Sequence, residues 1–240
     1  MSTTATNPPV APVTPPPAAK PRRRKPGRAG VIPFVDWKTY TRVLQAFGDR
    51  PRLRLTYDRG DLEIMVPSDE HEIDATFLAR IVVIMTEEFQ LPVRTGGSTT
   101  LKRKRMKKGI EPDKCFWIAN AATVAGVKLD LNIHPAPDLA IEVDVTRSSL
   151  DRFGIYRTLG VGELWHLDGD DLEFHVLGAD KKYAPAPDSA TFVGITPSDL
   201  MTFVKQARRV ADQNITAAAF RAWLQARLAP PPPPAAPPAT

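Results

Sequence analysis

The stretch from His134 to Arg147, HPAPDLAIEVDVTR, constrains the fold of this chain more than any other. In a β-strand, side chains at alternate positions share one face. One face is apolar throughout and has to contact a core: Leu139, Ile141, Val143 and Val145. The opposite face holds Asp138, Ala140, Glu142 and Asp144. The stretch therefore predicts a core strand with three carboxylates on its other face, spread over about 20 Å at ~3.3 Å per residue.

An acidic strand face has two interpretations. It is the solvated side of an ordinary edge strand, or it is a site for a divalent cation. Aspartate is unfavourable in strands, and Mg²⁺ and Mn²⁺ take oxygen ligands. We therefore favour the cation site.

A second Pro-Asp dipeptide strengthens that interpretation. It begins another short apolar segment, EPDKCFWI from Glu111 to Ile118, and it places Asp113 at the start of that segment, as Asp138 starts the other. Two neighbouring strands that each open on an aspartate could surround one ion. Metal-assisted hydrolysis of a phosphodiester needs carboxylates in such an arrangement. The sequence thus predicts Asp113, Asp138 and Glu142 as ligands of Mg²⁺ or Mn²⁺.

Four segments, in this order, resemble the PD-(D/E)XK nuclease superfamily and, more closely, the Uma-two family of restriction endonucleases. They are GDLEIMVPSDEHEID (60–74), IEPDKCFWI (110–118), PAPDLAIEVDVTRSS (135–149) and IYRTLGVGELWHLD (155–168). The resemblance implies an α/β fold like that of restriction endonucleases, with a mixed central sheet flanked by helices. It also implies a metal-dependent endonuclease that hydrolyses DNA.

The resemblance implies roles for particular residues. Asp113 and Glu142 correspond to the metal ligands, and Asp138 would be a third ligand or would orient water. Glu72, in the first turn of a predicted helix, corresponds to a glutamate that joins such sites. Arg152, four residues before Tyr156, stands where relatives carry a basic residue, and it would stabilise the charge of the phosphate.

The chain departs from the superfamily pattern at one position. That pattern has a lysine two residues after Glu142, and this chain has Asp144 there. Arginine keeps its proton, so Arg152 is a poor general base. An alternative function is therefore a catalytically inactive nucleic-acid-binding or regulatory protein that keeps the nuclease fold. A third is an interaction module that uses the proline-rich ends.

A basic run precedes Asp113 in the sequence. Six of its seven residues are positively charged: Lys102, Arg103, Lys104, Arg105, Lys107 and Lys108. Such a run predicts contact with nucleic acid phosphates, with DNA favoured and RNA not excluded, and it is expected to position the substrate. The alternative is a solvated hairpin tip. A second basic run, residues 20–28, is either a non-specific DNA contact or a solubilising leader.

Composition divides the chain into four parts. Residues 1–30 form a proline-rich basic tail with too few apolar side chains to fold, and residues 229–240 form a second disordered proline-rich tail. The nuclease-like domain is predicted over 31–205, followed by a helix over 206–228 that acts as a lid or a self-association element. A homodimer is compatible with cutting both strands.

Within the predicted domain, periodicity and turn residues indicate the elements. They are a helix between Asp36 and Gly48, a hairpin of 52–57 with 61–66, a helix over 70–90, a pair of strands at 93–95 and 99–103, a helix capped by Ser148 or Ser149 that ends at Leu159, a meander of 162–168, 171–177 and 181–186, and a helix from Thr196.

The remaining single residues suggest no further chemistry. Cys115, the one cysteine, is expected to be a buried thiol in a protein of the reducing cytoplasm. His71 has no partner with metal-ligand spacing, and His166 and His175 are expected to be structural. No run of eighteen apolar residues exists, so no membrane span is predicted.

Overall fold

The computed structural model describes residues 28–48, 53–97, 99–143, 148 and 150–229. Several predictions concern other residues. Residues 1–27 of the predicted tail, the end of the chain after Ala229, Asp144 and Ser149 all lie outside the described residues. Residues 28–30 of that predicted tail are described, and they belong to a strand.

The described chain forms five helices and eleven strands. The helices are α1 (Trp37–Phe47), α2 (Asp69–Glu88), α3 (Arg152–Leu159), α4 (Pro197–Ala207) and α5 (Gln213–Leu228). The strands are β1 (Arg28–Ile32), β2 (Arg54–Asp58), β3 (Asp61–Val66), β4 (Arg94–Gly97), β5 (Leu101–Arg103), β6 (Lys108–Ile110), β7 (Lys114–Trp117), β8 (Leu139–Val143), β9 (Glu163–Asp168), β10 (Asp171–Leu177) and β11 (Tyr183–Ala186). Short 3₁₀ turns occupy Lys104–Met106 and Ala122–Val124.

These strands make two sheets. The mixed sheet has the order β11-β10-β9-β8-β7-β4, and the antiparallel sheet has the order β1-β3-β2-β6-β5. β8 and β9 run parallel, and α3 connects them. The mixed sheet flanked by helices is the predicted fold. The second sheet was not predicted as a separate layer, because alternation along a hairpin does not reveal which other strands it will join.

β8 is buried on both faces, as the central strand of the mixed sheet. Leu139, Ile141 and Val143 of its predicted apolar face pack into the larger core cluster beneath α2, α4 and α5, and Val145 lies outside the described residues. Its other face, at Ala140, belongs to a second cluster that also contains Ile155 and Leu159 of α3. Helix α3 therefore lies between the two sheets.

The antiparallel sheet has α1 on its outer face. Tyr40 of α1 stacks on Tyr57 of β2 with ring centroids 4.5 Å apart, and both rings are buried. Tyr40 reaches the backbone of β6 at Gly109, where any Cβ would overlap its hydroxyl. Asp36 caps α1 as predicted, by accepting a hydrogen bond from Thr39 N at 2.6 Å.

Two local predictions were wrong. The segments at 93–95 and 99–103 do not pair with each other, because β4 joins β7 in the mixed sheet while β5 joins β6 in the antiparallel sheet. The chain crosses between sheets there, and Gly96 fits tightly: a Cβ at that position would lie 2.7 Å from Cys115 Sγ. Helix α3 is capped by Asp151, whose side chain accepts from Gly154 N, and not by Ser148.

The C-terminal helices complete the core. Phe220 and Leu224 of α5 are fully buried in the larger cluster, and Arg221 pairs with Glu87 and Glu88 at the end of α2. The buried face of α5 is thus covered by α2 and α4 of the same chain, and a role of α5 as a lid or in self-association stays a prediction. In the part of the chain that the structure describes, no helix has the length and apolar content to cross a membrane.

Candidate active site

Asp113 and Glu142 lie side by side on adjacent strands. In the antiparallel pair of β7 and β8, Lys114 is opposite Ile141, so the next residues along the two strands, Asp113 and Glu142, face each other. Asp113 is 1% exposed and Glu142 is 5% exposed. The amide of Val143 donates to Asp113 Oδ2 at 2.9 Å. The structure therefore brings together the two carboxylates that were the first predicted ligands.

Two cationic side chains contact Asp113. His71 Nε2, from the first turn of α2, lies 2.8 Å from Oδ2, and Arg54 Nε, from the start of β2, lies 3.6 Å from Oδ1. Burial raises the pKa of Asp113, but the hydrogen bond and charge of His71 outweigh it, and the pKa is lowered. Burial lowers the pKa of His71, but Asp113 reverses this and the pKa is raised. Both groups are therefore stabilised in their charged forms.

Arg152 binds Glu142 through both carboxylate oxygens. Its Nη2 atom lies 2.9 Å from Oε1 and 2.7 Å from Oε2. Tyr156, one turn further along α3 and on the same face, donates its hydroxyl to Glu142 Oε1. Burial raises the pKa of Glu142, Arg152 opposes this and Asp113 adds to it, so the pKa is raised. α3 thus supplies both partners of this glutamate.

Glu63 is a buried acid of this cluster that the sequence analysis did not identify. It is 0% exposed on β3, and its Oε1 accepts from Ser148 at 3.1 Å and from Arg152 Nη1 at 3.3 Å. Arg152 Nη1 also donates to Thr56 Oγ1 on β2 at 2.9 Å. The guanidinium therefore joins the antiparallel sheet to the mixed sheet. Glu63 could have been identified from the sequence, because it is a charged residue within the largely apolar segment DLEIMV (61–66).

Glu72 lies at the edge of the cluster. It is in the first turn of α2, its side chain is 38% exposed, and it accepts from Arg54 Nη2 at 2.9 Å. Arg54 thus links Glu72 to Asp113. This placement agrees with a glutamate beside the site, and a catalytic role for Glu72 stays a prediction.

Asp138 is at the opposite end of β8 from Glu142. It accepts from Ile118 N at 2.6 Å, from Asn120 N at 3.2 Å and from Asn120 Nδ2 at 2.7 Å. Four residues of strand, about 13 Å, separate it from Glu142. The expectation that Asp138 ligates the same ion or orients its water is therefore corrected. Both Pro-Asp dipeptides do open strands, but β7 and β8 are antiparallel, so the two strand starts lie at opposite ends.

The basic run forms the β5–β6 hairpin, remote from the carboxylates. β6 is antiparallel to β2, with Lys108 opposite Asp58 at the end of β2. Arg54, at the start of β2, contacts Asp113, so about 13 Å of strand separates the tip end of β2 from the end beside Asp113. Lys108 Nζ is bound to Asp58 at 2.8 Å, and Arg103 Nε donates to the carbonyl of Leu131 at 3.1 Å. The remaining cations, Lys102, Lys104, Arg105 and Lys107, are half-buried or exposed.

The comparison with known protein families now decides the classification. One family model, described as "Uma2: Putative restriction endonuclease", matches residues 37–202. The chain belongs to the Uma2 family. The match includes every residue of the acidic cluster, from Arg54 to Tyr156, and ends within α4.

The Uma2 assignment rests on that family model. A solved structure from Anabaena variabilis, described as "a putative nuclease belonging to DUF820", is 16% identical, with a TM-score of 0.45 over 65% of this chain and 92% of that chain. No curated protein matches this chain.

The acidic cluster of this Uma2 protein can be compared with the ligands that a divalent cation needs. Among the described residues, no three or more Asp, Glu, His or Cys side chains are grouped around one metal position. Mg²⁺ often needs only one or two carboxylates, because water and substrate phosphate complete its shell. Asp113 fits that need, since its buried Oδ1 accepts no hydrogen bond from the described residues, and its ion-pair contact there is with Arg54 Nε at 3.6 Å. Glu142 fits only when Arg152 releases one of its oxygens.

A cavity gives access to the Glu142 side of the cluster. It has a volume of about 250 Å³ and is lined by Glu142, Arg152, Tyr156, Ser148 and His166, among others. His166 and His175 both pack edge-on against Phe153 of α3, with ring centroids 5.9 and 4.8 Å away. Structural roles for the two histidines stay a prediction, and His166 also lines this cavity.

Proposed function

We propose that this protein is an endonuclease that hydrolyses phosphodiester bonds of DNA at the Asp113–Glu142 pair, with Mg²⁺ or Mn²⁺ as its cofactor. Membership of the Uma2 family supports a nuclease acting on nucleic acid. The observation that carries the proposal is the placement of two buried carboxylates side by side on β7 and β8. Asp113 and Glu142 would hold the ion, and Asp138 has no part in it.

The chain keeps Asp113 ionised and oriented. His71 and the amide of Val143 both bind Oδ2, which directs Oδ1 away from them. With its pKa lowered, Asp113 is a carboxylate at neutral pH and offers a charged oxygen. A bound Mg²⁺ or Mn²⁺ would supply Lewis-acid activation of water and stabilisation of the leaving oxygen.

Arg152 has two tasks in this proposal. In the structure its positive charge pairs with Glu142, so the buried carboxylate has a counter-charge. A guanidinium also matches the geometry of phosphate and stays protonated, so Arg152 stabilises negative charge that develops on the scissile phosphate. Because it holds its proton, it does not serve as the base. Tyr156 keeps Glu142 in place through its hydroxyl.

The proposal is tested with the full chain and two substrates, supercoiled plasmid and linear duplex. Incubation with Mn²⁺, with Mg²⁺ or with EDTA is followed by gel electrophoresis. We expect nicked and linear plasmid with either cation and no product in EDTA. Intact plasmid under every condition, with DNA binding preserved, would reject hydrolysis of DNA.

One observation favours a second candidate function, a catalytically inactive protein that binds nucleic acid. Arg152 occupies both oxygens of Glu142, and a guanidinium there competes with a cation. Calorimetric titration with Mn²⁺ separates the two functions. No heat of binding at millimolar Mn²⁺, from protein that still binds DNA, would favour the inactive protein.

A further inference from the structure

Phe34 is an aromatic side chain with almost no protein around it. It is 96% exposed, and its φ of 61° is in the left-handed region that residues other than glycine rarely adopt. The chain around it is held firmly, because Val35 N donates to the carbonyl of Gly60 at 2.8 Å and Val35 O accepts from Tyr57 Oη at 2.9 Å. A fixed backbone thus presents an aromatic ring to solvent.

Two more residues with left-handed backbones lie beside Phe34. A surface groove of about 750 Å³ is lined by Phe34, Arg59 and Lys107, and Arg59 and Lys107 both have φ of 49°. Arg59 N donates to the carbonyl of Lys107 at 2.9 Å, which ties the β2–β3 turn to the β5–β6 hairpin. Unfavourable backbone conformations gathered at one groove indicate a functional surface.

The groove is positively charged. Lys38 and Lys104 line it together with Arg59 and Lys107. The acid in its lining, Asp36, is engaged as the cap of α1. Arg59 pairs with Asp58 at 3.0 Å, but its side chain is 72% exposed. The groove therefore offers four cations to a polyanion, against one carboxylate in its lining, which is engaged as the cap of α1.

A second groove of about 540 Å³ extends the first. The two share Trp37, Thr41 and Lys104, and the second adds Lys102 and Lys128. Trp37 is half-buried, and its ring packs edge-on against Tyr40 and Tyr57 at 5.3 and 5.6 Å, which fixes its position. The acid of this groove, Asp130, accepts from Asn132. The result is a continuous basic track with two aromatic side chains.

We propose that this track, named here the α1 groove and formed by Phe34, Trp37, Lys38, Arg59, Lys102, Lys104, Lys107 and Lys128, binds single-stranded DNA. Bases would stack on Phe34 and Trp37 while phosphates contact the lysines, which is how proteins hold single strands without reading sequence. Duplex DNA keeps its bases stacked inside the helix and cannot use the aromatic rings. This inference rests on the proposed function and adds the class of DNA that the protein holds outside its acidic cluster.

The test measures binding without cleavage. Fluorescence anisotropy in EDTA compares a labelled oligothymidylate with a duplex of equal length, using the full chain. We expect tighter binding of the oligothymidylate. Phe34→Ala should weaken that binding by about 5- to 150-fold, the range for one stacked base, and leave duplex binding unchanged. Ile215→Ala, at a residue that is 65% exposed on α5, is the matched control and should change neither.

The lysines of the α1 groove are tested by the salt dependence of single-strand binding. Lys104→Ser/Lys107→Ser should lower the slope of log affinity against log salt by about 0.7 for each single-strand phosphate that the variant no longer binds. Lys182→Ser, an exposed lysine outside the α1 groove, should leave the slope unchanged.

Two results would overturn the inference: equal binding of oligothymidylate by wild type and Phe34→Ala, or tighter binding of duplex than of single strand. Circular dichroism of each variant confirms its fold. All binding is measured in EDTA, so it does not depend on cleavage. If the protein failed to cleave plasmid but still bound single strands, the nuclease function would be rejected and the single-strand-binding site would stand.

Discussion

Arg152 and Glu142 form an ion pair that connects α3 to the central strand of the mixed sheet, in which the single Nη2 atom lies 2.9 and 2.7 Å from the two carboxylate oxygens. Both side chains are largely buried. The pair contributes to the fold as well as to the candidate active site. Its removal should therefore lower stability, and an activity assay alone would not separate a loss of stability from a loss of catalysis.

Replacing Arg152 by methionine should destabilise the protein. The change leaves Glu142 buried without its cation, which costs about 3–5 kcal/mol in comparable pairs. Urea unfolding measures the free energy of unfolding, and Glu142→Gln/Arg152→Met should recover part of the loss, because Glu63 is then the one acid of the two that has lost its contact with Arg152 and keeps a carboxylate. A single variant as stable as wild type would show that the ion pair does not form.

Asp138 should act in folding and not in catalysis. Asp138→Ala removes the acceptor of two backbone amides, those of Ile118 and Asn120, and we expect a decrease of about 1–3 kcal/mol in the free energy of unfolding. Asp61→Ala, at an exposed acid of β3, is the control and should stay within about 0.5 kcal/mol of wild type. Thermal or urea unfolding decides the matter, and equal stability of the two variants would contradict the assignment.

The basic hairpin should affect binding more than turnover. The tip lies at the end of β2 that is about 13 Å of strand away from Arg54, the contact of Asp113. Lys104→Ser/Lys107→Ser should therefore raise the duplex DNA concentration for half-maximal cleavage and leave the saturated rate within a few-fold. Its salt slope should fall by about 0.9 for each duplex phosphate that the variant no longer binds. A large decrease in the saturated rate would mean that the tip positions the scissile phosphate, as the sequence alone suggested.

Arg103 and Lys108 provide the comparison for that experiment. Their polar groups are engaged with Leu131 O and Asp58, so Arg103→Ser/Lys108→Ser should lower stability and change the salt slope less than the Lys104/Lys107 variant. The reverse order of salt slopes would show that the engaged side chains are the ones that contact DNA.

Cys115 should be unreactive in the folded protein. It is fully buried in the core between the sheets, and burial raises the pKa of its thiol to about 12. Because the thiolate is the reactive form, a thiol reagent at pH 8 should label the native protein negligibly and label it fully in urea. The thiol keeps its proton in the folded state, so its contribution to stability is constant below about pH 8.5 and falls above it. Rapid native labelling would contradict this burial.

The sequence predicted the parts of the site that depend on single elements. Alternation along β8 correctly assigned Ile141 to the core, and the spacing of Arg152 and Tyr156 placed both on one face of α3. Pairing between elements was harder to predict. The antiparallel register of β7 and β8 separated Asp138 from Asp113. The contacts of His71 with Asp113 and of Glu63 with Arg152 join residues that are far apart in the sequence. Local periodicity carries no signal for such contacts.

The structure places Asp113, and not Asp138, beside Glu142, and we expect only Asp113 of the two to act in catalysis. Plasmid cleavage in Mn²⁺ by Asp113→Asn and Asp138→Asn, each confirmed as folded at the assay temperature, tests it most directly. We predict a decrease of at least about 100-fold in the saturated rate for Asp113→Asn, the scale of removing one electrostatic contribution to catalysis, and a rate near wild type for Asp138→Asn. Full activity of Asp113→Asn, or inactivity of Asp138→Asn alone, would contradict the account.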